Sequence, residues 1–217
     1  WTTARVTVAQ FQWAGRQSFW KGNFRDALAR YEALGRIYPP SLDAAEGKRD
    51  LYLNAMEGPR DAAPRLGLSF QEAAERCGGE LVRLVEAAPL RPETWSGVAD
   101  FFGALKPENQ RRRVYSLERV SVRPEENLEP EDVLQIRALE RATRVDPNGI
   151  YYRDSLGDLA WALGLRELAL ESYGETVTLL PDPAKHLFLG TVNMPPDLVE
   201  TVIRGMKHPA LSPDGTS

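Results

Sequence analysis

Few residues in this sequence have the types and spacing that covalent or metal chemistry requires. The two histidines, His186 and His208, belong to no HExxH pattern, and the single cysteine, Cys77, cannot complete a CxxC pair. Motifs of the GxSxG, GxGxxG and GxxxxGK[ST] kinds are absent as well. A lone cysteine near a helix end is more often a small buried apolar residue than a reactive thiol. We therefore predict no catalytic residue, no metal, no cofactor and no enzymatic activity for this chain.

Two carboxylates, Asp154 and Asp158, stand four residues apart and therefore share one face of a predicted helix. A general acid and base pair needs surroundings that push the two pKa values apart, and no neighbouring residue suggests such a difference. A solvated helix face is favoured over catalysis. A third interpretation is contact with a bound partner, which depends on the architecture that positions the helix.

A charge-segregated stretch spans residues 106–132. Its first part carries the basic residues Lys106, Arg111, Arg112, Arg113, Arg119 and Arg123, and its second part carries Glu125, Glu126, Glu129, Glu131 and Asp132. The arginine triplet beside Tyr115 could contact phosphate or an acidic protein surface, but a single aromatic residue accompanies it and acidic residues follow at once. We expect a solvated insertion that binds no nucleic acid and whose triplet is a secondary contact surface for a partner.

The composition is that of a soluble globular chain with no bias toward nucleic acid or membranes. Its 217 residues are 42% hydrophobic and carry a net charge of −4, which allows a sizeable core and creates no overall basic field. No apolar run approaches the roughly 18 residues of a membrane span, so we expect no direct membrane insertion. One cysteine fits a reducing cytosol and a disulfide-free envelope domain equally well. The start at Trp1 without a methionine suggests a fragment, the soluble part of something larger.

Two segments repeat the same spacing of small, aromatic and proline residues. They run from about Val8 to Ser41 and from about Tyr151 to Pro183. In each, a second glycine follows the first by seven residues, an alanine comes five later, a tyrosine four later and a proline eight later. The markers are Gly15, Gly22, Ala27, Tyr31 and Pro39 in the first copy, and Gly157, Gly164, Ala169, Tyr173 and Pro181 in the second. This spacing resembles the L-G…A-x3-F…P skeleton of the tetratricopeptide repeat family.

Each marker of the repeat has a steric reason. The first glycine and the alanine are small where two antiparallel helices cross, and the aromatic residue fills the space beside them. The second glycine ends the first helix in a left-handed backbone conformation, and the proline closes the second helix. The resemblance implies an all-α fold, an irregular right-handed helical-repeat solenoid with an insertion in the middle.

The rest of the chain follows the repeat less regularly. After Pro89, the residues Trp95, Val98, Ala99 and Phe102 continue the pattern for one helix, and residues 131–146 form another before Pro147. We interpret these two helices as one repeat split by the insertion. Residues 42–88 predict two or three helices, at 41–56, 70–77 and 79–88, without a clean repeat, and residues 195–206 predict a short closing helix. The predicted division is 1–41, an N-terminal repeat; 42–147, an irregular helical region that contains the insertion 106–132; and 148–217, a C-terminal repeat with its capping helix.

The family resemblance implies a concave groove lined by the first helix of each repeat. Residues beside the packing positions are expected to point into it: Gln12, Arg16, Phe19 and Trp20 in the first copy, and Tyr151, Asp154, Asp158 and Trp161 in the last. Family members that grip a terminal carboxylate carry Lys, Asn and Arg at such positions, so the aspartates here favour a mixed or basic ligand at the C-terminal end. The alternative is that Phe19 and Trp161 pack against a neighbouring repeat.

These observations favour an interaction module whose groove binds a segment of a protein or peptide partner. One alternative is an enzyme, or its regulatory module, that works through residues 42–132; another is homotypic assembly through an unfinished repeat at either end. Residues 146–183 are also similar to the extracytoplasmic tails of bacterial membrane polymerases and ligases of O-antigen and related surface polysaccharides. That resemblance implies the soluble part of a bacterial envelope protein, with a cytoplasmic location as the alternative.

Overall fold

The computed structural model describes residues 2–57, 65–106 and 128–180, together with positions 194, 198, 199, 201 and 202. Among these residues it contains helices and no strand. The α-helices are α1 (Thr2–Trp20), α2 (Phe24–Ile37), α3 (Leu42–Glu57), α4 (Phe70–Ala87), α5 (Pro92–Leu105), α6 (Pro130–Val145), α7 (Ile150–Ala162) and α8 (Arg166–Thr178), with a 3-10 turn at Arg65–Gly67. The predicted all-α helical-repeat fold is confirmed.

The chain divides into two compact units, Trp1–Arg111 and Arg112–Ser217. In the first unit each helix from α1 to α5 packs against the next one along the chain. Helix α3 also contacts both α1 and α5, so these three helices form one layer, with α2 and α4 packed against it. In the second unit α7 packs against both α6 and α8. None of the helices in the described parts of the chain has the length and hydrophobicity that crossing a membrane requires.

The first predicted repeat is the pair α1 and α2. A Cβ added at Gly15 would lie 2.9 Å from the Tyr31 ring, so only glycine fits where the two helices cross. Ala27 is completely buried beside it. Gly22 has φ +76° in the turn between the helices, the left-handed conformation that its place in the sequence predicts.

The last predicted repeat is the pair α7 and α8, and its marker residues pack in the same way as those of the first. A Cβ at Gly157 would lie 2.7 Å from the Tyr173 ring, and Ala169 and Tyr173 are completely buried. Gly164, in the turn between the two helices, has φ +81°. Identical spacing in the two copies therefore reflects identical packing, and the assigned register is confirmed for both.

The sequence predicts two or three helices in residues 42–88, and the structure describes two of them, α3 and α4. The segments 70–77 and 79–88 are therefore one helix. They form the single helix α4, which begins at the capping residue Ser69. The Ser69 hydroxyl accepts from the Glu72 amide at 3.2 Å, while the Glu72 carboxylate accepts from the Ser69 amide at 2.8 Å. Cys77 consequently lies in the interior of α4, completely buried, and not near a helix end.

Helices α3 and α4 form a complete repeat that sequence spacing did not reveal. Measured back from Pro89, the buried residues Cys77, Leu81 and Leu84 occupy the positions that Ala27, Tyr31 and Leu34 occupy before Pro39. The Cys77 sulfur lies 3.9 Å from the Arg49 carbonyl oxygen, so the two helices cross at the register of the other repeats. Arg49 stands where the first and last copies have glycine.

Helices α5 and α6 occupy the positions predicted for them on either side of the insertion. Their pairing as one repeat stays a prediction, because α5 belongs to the first unit and α6 to the second. Residues 107–127 of the insertion lie outside the described part of the chain. The triplet Arg111, Arg112 and Arg113 is among them. The acidic end of the insertion starts α6, where the Glu129 amide donates to the Asp132 carboxylate at 3.2 Å.

The C-terminal repeat is covered by part of the predicted closing helix. Positions 198, 199, 201 and 202 are helical, and Met194, Leu198 and Val202 are buried in one apolar cluster with Tyr173 and Val177. His186, His208 and the restart of the repeat pattern at Leu189 and Gly190 lie outside the described residues.

Candidate partner-binding groove

A cavity of about 310 Å³ opens on the layer formed by α1, α3 and α5. Its floor includes Tyr31, which reaches into the layer from α2. The other lining residues come from the layer itself: Arg16, Phe19 and Trp20 from α1; Asp43, Glu46, Gly47, Arg49 and Asp50 from α3; and Glu93 from α5. The helices α1, α3 and α5 thus share one groove, which we call the α1–α3–α5 groove.

Three of the four groove residues predicted on α1 line this cavity: Arg16, Phe19 and Trp20. Trp20 is 74% exposed, a large aromatic surface left open to solvent. Phe19 is only partly exposed, because its ring meets the Phe24 ring edge-on at 5.6 Å and packs against the core cluster of Ala27 and Tyr31. Gln12 is half-buried on the same helix and does not line the cavity.

Ion pairs hold the polar side chains of the groove in place. Arg49 is only 11% exposed; it donates to the Asp50 carboxylate at 2.7 and 2.9 Å and to the Glu93 carbonyl oxygen at 3.2 Å. Arg16 lies 3.8 Å from the Asp43 carboxylate. Arg91, from the loop before α5, lies 3.0 Å from the Glu46 carboxylate. The groove is therefore preorganised by contacts that join all three of its helices.

Acidic residues dominate the groove electrostatically. Four carboxylates line the cavity but only two guanidinium groups do. Burial raises the pKa of the Glu46 carboxyl, although the Arg91 and Arg49 charges oppose the rise. Asp100 is exposed on α5 and does not line the cavity; partial desolvation of its carboxyl raises its pKa to about 6, Arg49 opposes the rise, and Glu57 and Asp50 add to it.

The four residues predicted on α7 are distributed between surface and packing. Tyr151 is exposed and Asp154 is half-buried. Asp158 accepts a hydrogen bond from the Tyr173 hydroxyl at 2.5 Å, which ties it to the packing of the repeat. Trp161 packs against the apolar cluster that contains Tyr173 of its own repeat. The role of these residues in partner binding stays a prediction.

The sequence interpretation missed the acidic residues of α3 and α5. Asp43, Glu46 and Asp50 lie four, seven and eleven residues after Pro39, and Glu93 lies four after Pro89. Tyr151, Asp154 and Asp158 hold the same offsets from Pro147. The sequence therefore contained the signal, as fixed distances from the closing prolines. Transferring the groove positions of the last copy to α3 and α5 by these distances finds the acidic residues.

The groups that could support catalysis do not assemble in the described part of the chain. Burial raises the pKa of the Cys77 thiol to about 12, which keeps it protonated at neutral pH. No group of three or more His, Cys, Asp or Glu residues within the described ranges is arranged to hold a metal ion. A second cavity, of about 380 Å³, lies between α2, α3 and α4, but its Lys48 and Arg83 both contact the Glu80 carboxylate.

The helical pairs and their shared groove define the fold class as a tetratricopeptide-like helical repeat. Among solved structures, the chain is similar to one described as MamA RS-1 ArsTM double mutant, and MamA is a tetratricopeptide-like protein. The identity is 14% and the TM-score 0.52, over 79% of this chain and 74% of that chain. No protein-family model and no curated protein matches the sequence. The similarity supports the fold that the packing already shows.

Proposed function

We propose that this chain is a non-enzymatic interaction module that binds a segment of a partner protein in the α1–α3–α5 groove. The observation that carries the proposal is the groove itself, in which exposed Trp20 stands beside charged side chains fixed by ion pairs. Exposed aromatic residues next to preorganised polar groups are the usual anchors of a bound segment. The fold class, shared with MamA, is compatible with this function and does not by itself assign it.

Exposure alone does not make Trp20 a binding residue, because single exposed apolar residues are common on protein surfaces. Trp13 offers a direct comparison, because it lies on the same helix and is 67% exposed but does not line the cavity. The two side chains therefore differ in their surroundings and hardly in exposure. This pair provides a matched control for every test of the groove.

Site-specific photo-crosslinking tests the proposal. A benzophenone amino acid replaces Trp20 in one variant and Trp13 in the other, and both are expressed in cells of the natural source. We expect the variant at position 20 to crosslink a defined partner protein through one short segment, and the variant at position 13 to give no such product. Equal crosslinking from both positions, or none from position 20, would reject the groove as the binding site.

The cellular setting is a separate proposal. We infer, from the similarity of residues 146–183 to the tails of bacterial surface-polysaccharide polymerases and ligases, that the module belongs to a bacterial envelope protein and lies outside the cytoplasm. Reporter fusions to the full-length gene product test this. An alkaline phosphatase fusion after residue 217 is expected to be active, and activity only from a cytoplasmic reporter fused at the same place would overturn the inference.

A further inference from the structure

We propose that the α1–α3–α5 groove selects a basic segment, with a Lys or Arg side chain of the partner stacked on Trp20 and paired with carboxylates of α3 and α5. The inference rests on the proposed function and names the chemistry of the partner. Its first support is the composition of the lining, in which four carboxylates stand with two guanidinium groups, while a third guanidinium, that of Arg91, reaches Glu46 and Glu93 from the loop before α5. Opposite charge across an interface steers encounter and rejects partners of the wrong sign.

The acidic residues recur at fixed positions of α3, α5 and α7, which follow the closing prolines and which, with α1, we call the inner helices; α2, α4 and α8 are the outer helices. Four, seven and eleven residues after the closing proline, α3 carries Asp43, Glu46 and Asp50, α5 carries Glu93, Ser96 and Asp100, and α7 carries Tyr151, Asp154 and Asp158. Seven of these nine positions are acidic and none is basic. A solvated surface would mix both signs at equivalent positions, as the outer helices do. The equivalent positions of α1 carry Ala9, Gln12 and Arg16, so within the groove the bias marks α3 and α5 as the surface for positive charge.

The cations of the groove are engaged by its own acids. Both donor groups of Arg49 that contact Asp50 lie within 3 Å of that carboxylate, and its remaining contact is a backbone carbonyl on α5. Arg16 and Arg91 face Asp43 and Glu46. An acidic ligand would have to displace these pairs and would leave a buried or half-buried carboxylate without its cation. The four carboxylates also have internal partners, since Arg91 lies 3.9 Å from Glu93 as well, but a carboxylate accepts several hydrogen bonds, so a basic ligand can add a donor while the internal pairs stay.

The aromatic rim fits the same ligand. The face of Trp20 is open to solvent beside Arg16 and the α3 carboxylates. A guanidinium or ammonium group attracted by carboxylates can lie on such a face and gain a cation–π contact. The alkyl part of a Lys or Arg side chain covers the apolar surface that Phe19 and Trp20 present. The groove therefore combines charge and apolar area in the arrangement that a long basic side chain fills.

Fluorescence anisotropy on the full chain tests the inference with three labelled probe peptides of equal length. One alternates Arg with Ala, one Glu with Ala, and one Gln with Ala. We expect the Arg peptide to bind about tenfold more tightly than the Gln peptide, with affinity that falls as salt rises, and the Glu peptide not to bind. Equal binding of all three, or preference for the Glu peptide, would overturn the inference. A crosslink at position 20 that persisted in that case would leave the proposed function standing.

Paired neutralisations locate the effect. Asp50→Asn with Glu93→Gln removes two groove charges while keeping side-chain shape, and we expect the Arg peptide to bind about fivefold more weakly. The matched control, Glu75→Gln with Glu86→Gln, removes two exposed charges from α4, which does not line the cavity. Its affinity should equal that of the parent. Equal losses in the two double variants would show general attraction to an acidic protein and would overturn the inference.

The chain has a basic run of its own, Arg111–Arg113, which could fill the groove in place of a partner segment. Replacing these three arginines with Gln should leave the affinity for the Arg peptide unchanged. A tenfold gain would show that the run competes for the groove and would overturn the assignment to a partner. The basic run of a second copy of the chain could also occupy the groove. Light scattering across a concentration series tests this: a dimer that the Arg peptide dissociates would assign the groove to the second copy and overturn the inference.

Discussion

At the scale of single residues, Gly157 tests the repeat packing most sharply. The Tyr173 ring that would meet a Cβ there cannot move aside, because it is completely buried and its hydroxyl donates to Asp158. We expect Gly157→Ala to lower the free energy of unfolding by about 1–3 kcal/mol. Gly174→Ala is the control: nothing lies within 4 Å of its added Cβ, and a helix interior gains about 0.5–1 kcal/mol from the change. Urea denaturation measures both, and equal effects of the same sign would contradict the packing.

Asp100 gives the folded chain a pH-dependent stability. Its raised pKa of about 6 means that the folded chain keeps this proton at pH values where the unfolded chain, with an ordinary aspartate near 3.9, has lost it. Between about pH 4 and 6 the folded state binds more protons, so the Asp100 contribution to stability falls as pH rises and stays low above pH 6. We expect Asp100→Asn to match the parent at pH 3.5 and to exceed its stability at pH 8. A difference that is the same at both pH values, measured from urea midpoints, would refute the shifted pKa.

At the scale of helices, the continuity of α4 makes its own prediction. Gly79 lies inside α4 with nothing within 4 Å of an added Cβ. Gly79→Ala is therefore expected to stabilise the chain by about 0.5–1 kcal/mol, because alanine loses less backbone entropy in a helix. Gly164→Ala is the contrast, since φ +81° is strained for alanine by about 1 kcal/mol or more. Thermal unfolding of both variants decides, and a loss of stability at Gly79 would favour a broken helix.

The first and last repeats could be predicted from sequence because their crossings depend on residue size. Gly15 and Gly157 admit the tyrosine rings, and no larger residue does so without a shift in the helices. Such steric requirements leave a fixed spacing in the sequence. Acidic groove positions leave a weaker one, because many polar residues are compatible with a solvated helix face. This is why the α1 part of the groove was found and the α3 and α5 parts were missed.

The repeat formed by α3 and α4 was not predicted from the sequence because different residues pack where its two helices cross. Arg49 replaces the small residue of the inner helix, and Leu81 replaces the aromatic residue of the outer helix. The Arg49 side chain fits because it turns toward α5, where a Cβ on Gly97 would lie 2.6 Å from its guanidinium. Gly97 on α5 thus leaves the space that the Arg49 side chain occupies. Residues 58–69 also lengthen the connection between α3 and α4, so the family period is lost.

At the scale of the whole chain, both units carry acidic residues at equivalent positions of their inner helices. These helices are α3 and α5 in the first unit and α7 in the second. The net charge is only −4, yet α3, α5 and α7 concentrate carboxylates at equivalent positions. In these helices, charge thus follows the position in the repeat. We propose that the inner helices select the partner. Buried side chains of both kinds of helix hold the first unit together, among them Leu51 and Met56 of α3, Leu34 of α2 and Leu84 of α4.

The affinity of the full chain for its crosslinked partner segment, measured by isothermal titration calorimetry, tests the central claim that the α1–α3–α5 groove is the binding site. Trp20→Ala and Trp13→Ala remove equally large exposed side chains from one helix, so both variants should keep the melting temperature of the parent. We predict that Trp20→Ala weakens binding about tenfold or more, as loss of an aromatic anchor does, and that Trp13→Ala binds like the parent. Unchanged binding by Trp20→Ala, or an equal loss in both variants, would contradict the claim.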